Sequence, residues 1–176
     1  MSMETVKKIN YLKIYKSFLI ALIGTIFLAI SAKIKIPFYP VPMTMQTFVV
    51  LVIAVGFGWR LGVCTVALYL FEGIIGLPVF SGTPEKGIGI VYFTGTTMGY
   101  LIGFIVTVFI AGRFNYNNNI ITNFLKLSFA TSFIYLFGLF WLGSLIGWDK
   151  PIFKLGAEPF LLAELFKILL ATFSIN

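Results

Sequence analysis

Long apolar runs alternate with short breaks that are polar, glycine-rich or proline-rich. A helix that crosses ~30 Å of hydrocarbon at ~1.5 Å per residue needs about 20 residues. The runs predict spans at about 17–34, 44–56, 61–76, 90–114, 120–148 and 159–176, an all-α membrane domain of six helices filling residues 1–176. The breaks between them differ in character. Pro37, Pro40 and Pro42 fall within six positions. Proline lacks the backbone donor and turns its predecessor away from helix, so this stretch predicts an irregular cap at the outer face. Phe57-Gly-Trp-Arg-Leu61 reads as a tight inner turn, with Trp59 and Arg60 suited to the interface. Residues 77–87, rich in turn formers, predict a long outer loop. Residues 115–119 give a polar inner loop, and Asp149-Lys-Pro151 gives another outer turn.

Composition narrows the class. The 176 residues are 59% hydrophobic and only 11% charged, with mean hydropathy +1.00. Soluble domains are nearer a quarter charged, so the chain belongs in lipid and leaves no room for an extramembranous catalytic domain. Histidine is absent, which removes imidazole acid–base chemistry and histidine metal sites. Cys64 is the single cysteine, so no internal disulfide forms. No phosphate loop of the GxxxxGK[ST] type occurs. The expectation is a protein that is not an enzyme and carries no cofactor or metal of its own.

The net charge of +7 would suggest nucleic acid in a soluble protein. Here the cations sit between apolar runs, and orientation in the bilayer explains them better. The first run lacks a cleavage site before a polar mature region and reads as a retained helix. Lys7, Lys8, Lys13 and Lys16 precede it, and with the N-terminus inside, Arg60, Arg113 and Lys126 also lie inside. Lys33, Lys35, Lys86, Lys150 and Lys154 lie outside.

Three features carry candidate chemistry. Small residues recur at four-residue spacing: Ala21, Thr25 and Ala29 in the first span, Gly95, Gly99 and Gly103 in the fourth. Pairs Gly58/Gly62 and Gly143/Gly147 continue the pattern. Such spacing allows close backbone approach in lipid. For the first span the stripe reads either as internal packing or as a docking face for another membrane subunit. Second, Glu164 and Lys167 stand three apart near the outer end of the last span, on one helix face. A charge at membrane depth costs at least ~2.5–3.5 kcal/mol, so such residues usually face a cavity. They form either a self-satisfied pair or a ligand anchor. Glu72 is a further candidate, or a residue of the outer interface. Third, Thr44 and Gln46 follow the proline stretch, and Thr94, Thr96, Thr97 and Tyr100 cluster at the start of the fourth span. Neutral hydrogen-bonding groups among aromatics suit a small-molecule pocket, although threonine also bonds back to its own helix.

The segments PFYPVPMTMQTFVVL (37–51), ALYLFEGIIGLPVFSG (67–82), TTMGYLIGF (96–104) and PFLLAELFK (159–167) together resemble the BioY family, the biotin-binding S-components of energy-coupling-factor (ECF) transporters. The resemblance covers most of the chain from Ile36 to Lys167. It implies six helices, a biotin site near the outer surface of a bacterial plasma membrane, and partners outside this chain. Those are a transmembrane coupling subunit and two cytoplasmic ATPases that use the ATP. It places substrate binding on Glu164, Lys167, Gln46, Thr44, Thr97 and Tyr100, and coupling-subunit docking on Ala21, Thr25 and Ala29. Glu164 stands where the family has aspartate, Thr96 where it has proline and Met98 where it has glycine. These departures leave an S-component for a different vitamin as the alternative. A pore would carry polar residues along whole spans, whereas here they gather at one end.

Overall fold

The computed structural model describes residues 3–117 and 119–175, with side chains from Tyr11 onward. Lys7 and Lys8 lie outside the described side chains. Helix α1 (Met3–Lys33) runs straight into β1 (Lys35–Ile36), which pairs antiparallel with β2 (Met43–Thr44). The three prolines sit in the loop between these short strands, where missing amide donors leave no ladder bond unmade.

Helix α2 (Gln46–Ile74) is interrupted at Gly58, whose φ of 70° and ψ of 172° are not helical. The interruption reverses the chain. Gln46 Nε2 donates to the Tyr69 hydroxyl at 2.8 Å. On a continuous helix those residues would stand roughly 34 Å apart. The halves 46–57 and 59–74 therefore lie side by side, and the turn predicted around Gly58 is present. Gly62 in the second half leaves room for Val108, since a Cβ there would stand 2.6 Å from Val108 Cγ1.

A 3₁₀ segment (Gly89–Thr94) precedes α3 (Met98–Ala111). α4 (Ile120–Ile146), the short α5 (Ile152–Gly156), a 3₁₀ turn (Glu158–Phe160) and α6 (Leu161–Phe173) complete the order. Counting both halves of α2, six helices longer than one short turn pack together among the described residues. Tyr11–Lys33, Gln46–Ile74 and Ile120–Ile146 are each long and apolar enough to cross a membrane, and Met98–Ala111 is a shorter apolar helix. Large apolar side chains cover the outside, including Ile23, Phe27, Phe140, Leu162 and Phe166. In water these would form an untenable patch; against lipid they are the expected surface.

Three boundaries differ from the sequence reading. α1 begins at Met3, well before the apolar run expected from 17. Only Met98–Ala111 of the span expected at 90–114 is α-helical. Gly89 enters the preceding segment at φ 64°, and Gly95 leaves it extended, so the backbone turns twice before α3 begins. The last span begins as a 3₁₀ turn at Glu158, with Pro159 in it. Within the core, α3 and α4 meet through the predicted glycines. A Cβ on Gly103 would lie 2.6 Å from Ile134 Cα, and one on Gly99 would fall on the Phe137 carbonyl and Trp141 Cβ.

Candidate functional site

The polar groups converge at the end of the bundle that carries the β-hairpin. There the 37–42 loop, the 77–87 loop, the start of α2, the start of α3, the middle of α4 and the first turns of α6 enclose a cavity. Its water-accessible space is about 60 Å³. Thr44, Gln46, Thr97, Tyr100, Glu164 and Lys167 all line it. Residues 123 positions apart are thus brought together, as the bond from Lys167 to Thr44 records.

α6 supplies the charged pair. The three-residue spacing puts Glu164 and Lys167 on its inward face, 4% and 5% exposed. Lys167 Nζ donates to Glu164 Oε2 at 2.8 Å, to the Thr44 carbonyl at 3.0 Å and, at 3.5 Å, to Thr47 Oγ1. The Tyr135 hydroxyl donates to the same Oε2 at 3.0 Å. Glu164 Oε1 is buried with no hydrogen-bond partner. Native interiors rarely leave a carboxylate oxygen so, because the group loses its water without compensation. An unpaired acceptor in the wall of a cavity fits a ligand that brings an N–H or O–H.

The other predicted residues build the walls. Thr44 Oγ1 donates to Gln46 Oε1 at 3.3 Å, and the Tyr69 hydroxyl passes the Gln46 bond on to the Val79 carbonyl at 3.0 Å. Gln46 thereby ties the hairpin to the 77–87 loop. The Tyr100 hydroxyl donates to the Gly156 carbonyl at 2.8 Å, so its ring, not its oxygen, is presented. Gly138 admits that ring against α4, because any side chain there would strike it. The Tyr100 and Tyr135 rings then meet edge to face at 6.3 Å. Thr97 caps α3 without using its side chain on the helix.

Sequence reasoning missed Tyr135, Thr47, Ser81, Tyr92 and Phe80, which line the same cavity. Tyr135 sits mid-run in α4, where nothing marks it among other aromatics. Thr47 directly follows Gln46 and was within reach of the same argument. Phe80 depends on Gly73, whose missing side chain leaves the space its ring fills. The ring stacks on Tyr92 at 4.7 Å. The Tyr92 hydroxyl donates to the Ser81 carbonyl at 2.8 Å, and Ser81 Oγ is, like Glu164 Oε1, buried and unpartnered. Lys33 holds this loop from below, donating to Phe80 O, Thr83 O and Thr83 Oγ1 at 3.0–3.1 Å.

Other candidates lie elsewhere. Thr94 Oγ1 bonds back to Val91 O, and Thr96 Oγ1 donates to Pro40 O, which ties the proline loop to the approach of α3. Glu72 accepts from Thr25 Oγ1 at 2.9 Å, outside the cavity. That bond ties the first stripe into the packing of the chain itself. Ala21 and Thr25 are 5% and 2% exposed, turned into the chain against α2, and Ala29 is half-buried against the core. Gly24 on the same helix lets α2 approach, since a Cβ there would lie 2.5 Å from Thr65 Cγ2. Among the described residues no cluster of three or more His, Cys, Asp or Glu forms a metal site.

Comparison with known proteins places this arrangement. The probable biotin transporter BioY of Pyrococcus horikoshii is 34% identical over 139 residues, covering 79% of this chain and 81% of that one. The biotin transporter BioY of Thermotoga maritima is 34% identical over 150 residues, covering 85% and 87%. In fold, the chain is similar to a crystal structure of the S-component for biotin from an ECF-type ABC transporter. The TM-score is 0.78 at 24% identity, over 93% of this chain and 90% of the other. The family model for BioY matches residues 3–176, and the chain belongs to the BioY family.

Proposed function

We propose that this membrane protein binds biotin in this cavity and passes it inward with an ATP-driven coupling module. The observation that carries the reading is the unpaired Glu164 Oε1 beside Lys167. Biotin has a ureido ring with two N–H donors and a carbonyl, an apolar sulfur ring and an anionic tail. The ureido N–H fits Glu164 Oε1. The anionic tail is repelled by that carboxylate and fits the Ser81 hydroxyl and Thr97 at the other wall, with Tyr100, Phe80 and Tyr135 flanking the apolar ring. The names of the relatives support the same ligand.

The cavity holds only a few waters, at roughly 10–15 Å³ each. Biotin is larger, so its entry moves the lining loops at 41–43 and 80–81, and closure afterwards excludes water. Lys33 pins the second of these loops. Lys33→Met is expected to speed biotin dissociation about tenfold, the loss of roughly 1.4 kcal/mol, with less effect on association; stopped-flow displacement measures it.

The chain has no nucleotide motif, so the energy for release comes from partners: a transmembrane coupling subunit and two cytoplasmic ATPases. The membrane is the bacterial plasma membrane, with the N-terminus and the Gly58 turn on the cytoplasmic side. Calorimetric titration of the detergent-purified protein with biotin, beside riboflavin and thiamine, tests the ligand. Tight stoichiometric binding of biotin alone is expected. Binding of another vitamin by folded protein, and not of biotin, overturns the assignment.

A further inference from the structure

At the end of the bundle opposite the cavity, two turns are locked together. The Trp59 amide donates to the Gly112 carbonyl at 3.1 Å. A Cβ on Gly112 would lie 2.7 Å from Trp59 Cα, and Gly58 holds the positive φ that brings Trp59 into place. The lock sets Arg60 and Arg113 around one indole. Their guanidinium carbons lie 5.2 and 4.8 Å from the Trp59 ring centroid, and Arg113 also sits 4.3 Å from that of Phe109. Both arginines are exposed.

Contact with a ring uses the charge of a guanidinium group and leaves most of its five N–H donors for another partner. Among the described residues neither arginine donates a hydrogen bond or meets a carboxylate. The topology gives the reason. Among the side chains described, Glu72, Glu85, Asp149, Glu158 and Glu164 all belong to the cavity end, while Lys126 joins the arginines at this one. Two guanidinium groups with no counter-charge among the described side chains, at membrane helix ends beside the exposed ring of Phe109, suit a phosphate at headgroup depth.

We infer that Arg60 and Arg113, held about Trp59, bind the phosphate of an anionic phospholipid headgroup in the leaflet facing the Gly58 turn. Native mass spectrometry of the full chain, released from detergent with equal phosphatidylglycerol and phosphatidylcholine of matched chain length, tests this. The wild type is expected to retain phosphatidylglycerol about tenfold over phosphatidylcholine. R60Q/R113Q is expected to fall to near parity with its thermal melting curve unchanged; if the double variant melts early, each single variant is read in its place. R113K, which keeps charge but loses the fork, is expected to fall between. Equal retention of both lipids by the wild type overturns the inference, as does an undiminished preference in folded R60Q/R113Q. Displacement of the lipid by an equal concentration of inorganic phosphate overturns the lipid assignment in favour of a soluble anion.

Discussion

Lys167→Met is expected to abolish high-affinity biotin binding, lowering it by at least about a hundredfold. The ammonium has three acceptors in this structure: Glu164 Oε2, the Thr44 carbonyl and Thr47 Oγ1. Without it the Glu164 carboxylate stays buried with Tyr135 as its one remaining donor. Breaking a buried pair by removing one partner costs about 3–5 kcal/mol, and ~3 kcal/mol is already more than a hundredfold in affinity. Part of that cost falls on the fold, because the bond to Thr44 joins α6 to the β-hairpin. The double change Glu164→Met/Lys167→Met separates the two effects. Apolar residues of similar volume remove the uncompensated charge, so thermal stability recovers while biotin binding does not. Calorimetry and thermal melting on the same samples read both. Wild-type affinity in folded Lys167→Met protein would remove the pair from the binding site.

Gly99→Leu is expected to give the largest loss of stability by a single substitution outside the cavity lining. A side chain at 99 meets the Phe137 carbonyl and Trp141 Cβ, and neither backbone nor Cβ can rotate away. Overpacking costs about 1–3 kcal/mol where side chains can adjust, and here the helices themselves must part. In lipid, close packing is much of what holds helices together. Separation would also strain the bond from Trp141 Nε1 to the Gly95 carbonyl, 2.9 Å long, which sets the approach to α3 and Thr97. Gly56→Ala is the comparison, because a Cβ there meets nothing within 4 Å. Thermal melting in detergent should drop sharply for Gly99→Leu and barely move for Gly56→Ala. Similar curves for the two would mean that the α3–α4 contact carries little of the stability.

Much of this was legible in the sequence because lipid leaves few choices. Apolar runs must be helices, and a charged pair near a helix end must face protein or a cavity. Glu164 and Lys167 stood out on that rule alone. Tyr135 did not, because an aromatic in an apolar run looks the same whether it faces lipid or a carboxylate. Ser81 and Phe80 depend on the course of a loop that no periodicity describes, and on the space left by Gly73. The stripe of Ala21, Thr25 and Ala29 shows the other limit. Four-residue spacing says that something approaches closely, and only the position of Glu72 shows that for Thr25 the neighbour is the chain's own α2.

The perimeter of the molecule is uneven in height. α4, with 27 residues, is about 40 Å long, whereas the 14 residues of α3 and the 13 of α6 reach only about 21 and 20 Å. A bilayer with ~30 Å of hydrocarbon matches neither side. Lipid must thin against the short helices or the long ones must lean, each at a fraction of a kcal/mol per ångström of mismatch. A body with such a lopsided hydrophobic belt has no upright pose that suits its whole circumference, so its tilt is set softly by the surrounding lipid and is open to change by whatever docks beside it.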